Sequence, residues 1–103
     1  MKEKNEFEKH QAAKKYYDAG QDLALRRRYE EALECYDKAI SLNPEYADAY
    51  NNKGNSLSAL GRYEEAIKAY NKAIEFKPDF AVAINNRAIV IEKLGSAGDA
   101  TRD

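Results

Sequence analysis

Arg28-Tyr29-Glu30-Glu31-Ala32-Leu33-Glu34-Cys35-Tyr36-Asp37-Lys38-Ala39-Ile40, closed by Pro44, recurs as Arg62-Tyr63-Glu64-Glu65-Ala66-Ile67-Lys68-Ala69-Tyr70-Asn71-Lys72-Ala73-Ile74, closed by Pro78. The two prolines lie 34 residues apart. The same offset lays Ala13 over Ala47, Tyr16 over Tyr50, Gly20 over Gly54 and Leu23 over Leu57. A fixed period of this length marks a stack of like units, each too small to bury its own apolar face. Within the second unit Tyr50, Gly54 and Leu57 share a face at i, i+4, i+7, and Ala66, Tyr70 and Ala73 share another, so each unit is a pair of amphipathic helices. Small residues at 54, 66 and 73 allow the helices of a pair to approach closely. Gly61 supplies a left-handed residue just past the first helix, and Asn43-Pro44 and Lys77-Pro78 force extended backbone after the second. The first unit has Arg27 at the glycine position. An L-residue there carries a strain of roughly 1 kcal/mol or more if the geometry is kept, so the first turn is expected to differ.

A third copy begins with Ala81, Ile84, Ala88, Ile91 and Gly95, then breaks down at Ala97-Gly98-Asp99-Ala100. The sequence therefore predicts an all-α solenoid of about five helices. Residues 1–12 extend the first helix, 13–46 and 47–80 are full repeats, 81–95 form the first helix of a partial third, and 96–103 a flexible tail. Asn5 with Glu8 makes a helix cap, and one long helix is expected from about Asn5 to Arg28.

These residues resemble the tetratricopeptide repeat, in the second unit through Tyr50, Gly54, Leu57, Tyr63, Ala66, Tyr70, Ala73 and Pro78. The first unit supplies Tyr16, Ala19, Gly20, Leu23, Tyr29, Ala32, Tyr36, Ala39 and Pro44. Lys53 and Arg87 depart from it, standing where the family often has Leu. The resemblance implies a right-handed superhelix whose first helices line a concave groove that binds peptides or partner helices. The positions that would face it are Lys14, Tyr17, Asp18, Gln21 and Leu25, then Asp48, Asn51, Asn52, Asn55 and Ala59, then Val82, Asn85, Asn86, Ile89 and Lys93.

The amides stand out in that set, because asparagine is a poor helix former that offers both a donor and an acceptor. Asn52 and Asn86 recur one period apart and resemble the asparagine ladder of the O-linked N-acetylglucosamine transferase. Two readings stay open, groove binding and local packing. The expected groove contacts are Tyr17, Gln21, Asn51, Asn52, Asn55, Asn85 and Asn86. The carboxylate clamp known in related repeats needs Lys and Asn in one unit and Lys and Arg two units on. Of its residues only Asn52 is matched.

Composition excludes several other activities. The 103 residues hold 17 Lys+Arg against 18 Asp+Glu, so no net field gathers nucleic acid or an anionic membrane. Arg26-Arg27-Arg28 is a local cluster with no counterpart in the next unit. His10 and Cys35 are the only residues of their kinds and lack the neighbours that a metal site or an activated nucleophile needs. Glu30-Glu31 and Glu64-Glu65 suit the positive end of a helix dipole. The chain is thus expected to be a cytoplasmic scaffold or adaptor, not an enzyme, with no cofactor and with another protein or peptide as partner. The alternatives are an accessory segment of a longer enzyme, such as a glycosyltransferase, and a self-assembling repeat. For the latter, Ile84, Ile89, Val90, Ile91 and Leu94 on the open third helix would form a homo-oligomer contact.

Overall fold

The computed structural model describes residues 5–100. Five helices follow one another: α1 (Glu6–Leu25), α2 (Tyr29–Leu42), α3 (Ala47–Ala59), α4 (Tyr63–Phe76) and α5 (Ala81–Ala100). Each packs against the next as an antiparallel stack, with α1, α3 and α5 along one side and α2 and α4 along the other. This is the all-α helical-repeat solenoid that the 34-residue period predicts.

The start of α1 is set by Asn5, whose side-chain oxygen accepts the backbone N–H of Glu8 at 2.8 Å. At the starts of α2 and α4 the capping residues are Arg28 and Arg62, without a side-chain cap. Each guanidinium instead reaches forward to a glutamate three residues on, Arg28 Nε to Glu31 at 2.7 Å and Arg62 Nε to Glu65 at 2.9 Å. The bonds and charge beside Arg62 hold the Glu65 carboxyl below the usual carboxylate range.

Packing within each pair rests on a tyrosine lying over a glycine. A Cβ built on Gly20 would sit 2.6 Å from Cε1 of Tyr36, and one built on Gly54 would sit 2.6 Å from Cε1 of Tyr70. Both rings are 1% exposed. Around the second ring gather Leu33, Leu57, Ala66, Ala69 and Val90, and a smaller, alanine-lined cluster of Ala13, Ala39 and Ala49 lies where the first repeat meets the second.

The two turns between paired helices are alike, contrary to the expectation that Arg27 would change the first. Arg27 has φ 63° and Gly61 φ 77°. The N–H of Arg28 donates to the Leu23 carbonyl at 2.9 Å, and that of Arg62 to the Leu57 carbonyl at 2.9 Å. Each is the six-residue closure that satisfies an orphan carbonyl at a helix end. The hydrogen bonds and the packing of Tyr36 outweigh the strain on Arg27. The expected helix to Arg28 therefore stops at Leu25.

At the other end α5 runs through Gly95 to Ala100, so residues 96–100, expected as tail, are helical. Gly95 is not among the residues with positive φ, and without that left-handed step nothing interrupts the i→i−4 ladder. Residues 1–4 and 101–103 of the expected terminal segments lie outside the described residues.

The strain at Arg27 gives opposite outcomes at equivalent positions. Arg27→Gly is expected to raise unfolding stability in urea by roughly 0.5 kcal/mol, the relieved strain less the added entropy of the unfolded chain, and Gly61→Ala to lower it by about 1 kcal/mol. Shifts of the same sign would mean that the two turns are not held alike.

Candidate binding groove

On the side formed by α1, α3 and α5, the fifth residue of one repeat meets the sixth of the next. Asn52 Nδ2 donates to Tyr17 Oη at 3.1 Å, and one repeat later Asn86 Nδ2 donates to Asn51 Oδ1 at 3.2 Å. Both pairs are separated by 35 residues, the repeat period plus one.

Further bonds join these pairs into a single ladder. Gln21 Nε2 donates to Tyr17 Oη at 3.3 Å, Asn51 Nδ2 to Asn52 Oδ1 at 3.4 Å, and Asn86 Nδ2 to Asn55 Oδ1 at 3.2 Å. Tyr70 Oη completes it, donating to Asn55 Oδ1 at 2.6 Å. Six of the seven residues expected at the groove are thus brought together, and Asn85 lies exposed beside Asn86 outside the ladder.

Their roles divide by exposure. Asn51, expected as a partner contact, is 5% exposed and uses its amide between Asn52 and Asn86. It therefore positions its neighbours. Tyr17 is half-buried, stacked on Tyr46 with centroids 5.1 Å apart. Among the described residues Asn55 Nδ2 and Asn86 Oδ1 have no protein partner, which leaves one donor and one acceptor at the groove surface.

Beside the ladder lie two clefts related by the repeat. One, of about 420 Å³, is lined by Leu25, Tyr29, Tyr36, Asn52, Asn55 and Ala59 among others. The other, of about 560 Å³, is lined by Tyr63, Ile89, Glu92, Lys93 and Ser96. Tyr29 and Tyr63 occupy one repeat position, as do Asn55 and Ile89. Leu25 stands 85% exposed at the rim of the first cleft.

The sequence reading did not place Tyr29, Tyr36 and Tyr63 in the groove. Their recurrence was the available signal, but it reads equally as core. Ile89, expected both to face the groove and to take part in self-association, lines the second cleft. Val90, also expected in self-association, is 2% exposed within the core around Tyr70. Leu94 is half-buried beside Gly61 and Arg62. Only Ile84 and Ile91 of that set remain on the open face of α5.

Lys53 and Arg87 turn out to be equivalent links between repeats. Lys53 Nζ meets Asp37 at 2.8 Å, and Arg87 donates to Asn71 Oδ1 at 2.7 Å. Each joins a first helix to the second helix of the preceding repeat. Among the described residues no group of three or more His, Cys, Asp or Glu converges as metal ligands, and no helix is long and apolar enough to cross a membrane.

The architecture is that of a helical-repeat interaction module: paired helices, a ladder of amides on one face, and clefts repeating with the period. A tetratricopeptide-repeat model matches residues 47–80 and a second model for the same repeat matches 13–61. The chain belongs to the tetratricopeptide-repeat family.

Among solved structures it is similar to MamA, at 32% identity and TM-score 0.80 over 88% of this chain and 53% of that one. The chain therefore spans about half the length of MamA. It is also similar to the second tetratricopeptide-repeat domain of Spaghetti (RPAP3) bound to the HSP90 peptide SRMEEVD, at 27% identity and TM-score 0.84 over 94% of this chain and 89% of that one. The Arabidopsis OM64 repeat domain, at 22% identity and TM-score 0.83 over 89% and 76% of the two chains, shares the fold. No curated protein sequence matches the chain.

Burial also fixes how the site responds to alkali. It pushes the phenols of Tyr36, Tyr46 and Tyr70 up to about 12, and raises that of Tyr17. A phenol whose folded value lies above its unfolded value of 10.0 contributes stability below that pH and loses it as pH climbs toward about 12. Urea midpoints are therefore expected to be flat up to about pH 9 and to fall steeply between about 10 and 12. Ultraviolet titration should show these three phenols ionising only as pH climbs toward about 12. Ionisation of these three near pH 10, with unchanged stability, would contradict the burial described.

Proposed function

We propose that the chain binds a segment of another protein along the face of α1, α3 and α5, with amides holding the segment's backbone and the two clefts receiving apolar side chains. The observation that carries this reading is the Asn86–Asn55 junction, which is fixed internally by Tyr70 and Asn51 yet leaves Asn55 Nδ2 and Asn86 Oδ1 outward. A donor and an acceptor held side by side match the C=O and N–H of an extended chain, whatever its side chains. Prior hydrogen bonding lowers the ordering cost of such a contact. Tyr17, Gln21 and Asn52 extend the polar row toward the first repeat, and Asn85 stands available beside it.

The Spaghetti domain supports the general mode, since a relative of closely similar shape holds a short peptide. This groove differs in chemistry from a grip on charge. Lys14 is paired with Asp18 at 3.2 Å, and the positions that would clamp a carboxylate carry Tyr17, Gln21, Val82 and Asn86. The partner segment is therefore an internal, weakly charged stretch with two apolar side chains, and the reading includes no catalytic step.

The test is a peptide array carrying each sequence with a free and an amidated C-terminus, followed by calorimetry on the best binders. Amidation is expected to leave affinity unchanged. Asn55→Ala and Asn86→Ala should each weaken binding by roughly tenfold, about 1.4 kcal/mol. Binding that requires a free C-terminal carboxylate, or that is indifferent to both substitutions, would exclude the backbone-holding role.

A further inference from the structure

We infer that the first cleft takes a tyrosine of the partner segment, its ring against Tyr29 and its hydroxyl accepting a hydrogen bond from Tyr36 Oη. This rests on the groove reading above and assigns the side chain that one of its two clefts selects.

The two buried tyrosines of the repeat have different hydrogen-bond fates. Tyr70 Oη donates to Asn55 Oδ1 at 2.6 Å. In the first repeat the place of Asn55 is taken by Gln21, a longer amide that is turned to Tyr17 Oη at 3.3 Å. Tyr36, at the position of Tyr70, thereby loses the acceptor. The Asn52 amide lies beside the Tyr36 phenol, but its Nδ2 donates to Tyr17 and its Oδ1 accepts from Asn51.

Among the described residues the Tyr36 hydroxyl therefore has no acceptor, although the residue is 1% exposed. No sealed side-chain nitrogen or oxygen among them is without a partner. The hydroxyl consequently opens into the cleft that Tyr36 lines, between the first and second repeats. A donor so placed is costly to cover with an apolar group and gains from an acceptor.

Around that donor the walls are apolar, formed by Ala24, Leu25, Tyr29 and Ala59. The matching side chain is apolar along its length and carries an acceptor at its tip. A carboxylate does not fit, since no Lys or Arg lines the cleft and an unpaired charge is expensive to bury. Phenylalanine would cover the Tyr36 hydroxyl without replacing its bond. Glutamine brings an acceptor but freezes more side-chain torsions than tyrosine does, and it offers no ring to Tyr29. The volume of about 420 Å³ is ample for a phenol. A phenolic hydroxyl accepts and donates at once, so it can serve Gln21 Oε1 as well as Tyr36.

The second cleft selects differently. Ile89 and Lys93 stand there in the places of Asn55 and Ala59, and the Tyr70 hydroxyl is already spent on Asn55. The preference for tyrosine is confined to the first cleft.

Blocked single residues read this cleft apart from the rest of the groove. N-acetyltyrosinamide and its phenylalanine and glutamine analogues are titrated into the protein while the methyl resonances of Ala24, Leu25 and Ala59 are followed by NMR. The tyrosine probe is expected to shift all three saturably and to bind about tenfold tighter than the phenylalanine probe, with the glutamine probe weaker than tyrosine. On Tyr36→Phe the two aromatic probes should bind alike. Urea unfolding checks the free chain: Tyr36→Phe should keep or raise the midpoint, and Tyr70→Phe should lower it by about 0.5–1 M. Equal binding of tyrosine and phenylalanine by the native chain, no shift at these methyls, or tightest binding by glutamine would each overturn the assignment. So would a tyrosine preference that survives Tyr36→Phe, or a midpoint loss in Tyr36→Phe equal to that in Tyr70→Phe. Peptides that weaken on Asn86→Ala yet tolerate exchange of every tyrosine for phenylalanine would overturn it while the groove reading stands. Probe discrimination in a chain that binds no peptide would uphold the tyrosine pocket and exclude the groove reading alone.

Discussion

The contact between a tyrosine ring and a bare glycine backbone sets every other distance in this molecule. Tyr36 lies on Gly20 and Tyr70 on Gly54, each so close that one added carbon would stand 2.6 Å from the ring. That approach fixes the separation of the helices in each pair, and the repeat period copies it along the chain. The same tyrosine also reaches past the core: Tyr70 Oη donates to Asn55, the next residue around α3 from Gly54, at 2.6 Å. Core packing and groove geometry are therefore joined through one side chain, and a shift at Gly54 is felt at the amides.

The groove is in consequence a built surface. Its amides are tied to one another across α1, α3 and α5, so the spacing of the outward-facing groups is set by the solenoid before any ligand arrives. Pre-organisation of this kind lowers the ordering cost of binding; Lys14 is paired with Asp18, and Tyr17, Gln21, Val82 and Asn86 put no cation at the positions of a carboxylate clamp. Beside the amides the clefts at Tyr29 and Tyr63 repeat with the period.

Much of this was legible in the sequence because the period states the same instruction twice. Pro44 and Pro78, Gly20 and Gly54, and Tyr36 and Tyr70 are pairs whose meaning is fixed by covalent geometry and size, and they carried the helix pairs and the face on which the amides converge. Where one copy stood alone, local rules misled. Arg27 argued for a different turn, yet tertiary packing and the closure from Arg28 to Leu23 hold it left-handed.

Gly95 looked like a stop, but a glycine ends a helix only where the following chain has a reason to turn, and none follows. Exposure was the least legible property. Asn51 and Asn52 are adjacent and chemically identical, and only the position of α5 decides that the first is buried. Val90 and Ile91 divide in the same way between core and open face. The roles of Lys53 and Arg87 needed the neighbouring helix, since their partners lie 16 residues away in sequence.

The central claim is that Gly54 is glycine because of the Tyr70 ring, and a double-mutant cycle measures that directly. Urea unfolding of Gly54→Ala, Tyr70→Leu and the double variant gives the coupling between the two positions. With tyrosine present, the added methyl overpacks the contact and is predicted to cost about 1–3 kcal/mol. With leucine in its place, the same substitution is predicted to be neutral or to gain up to about 1 kcal/mol, the ordinary preference of a helix for alanine over glycine. Additive effects, with Gly54→Ala equally costly in both backgrounds, would contradict the account.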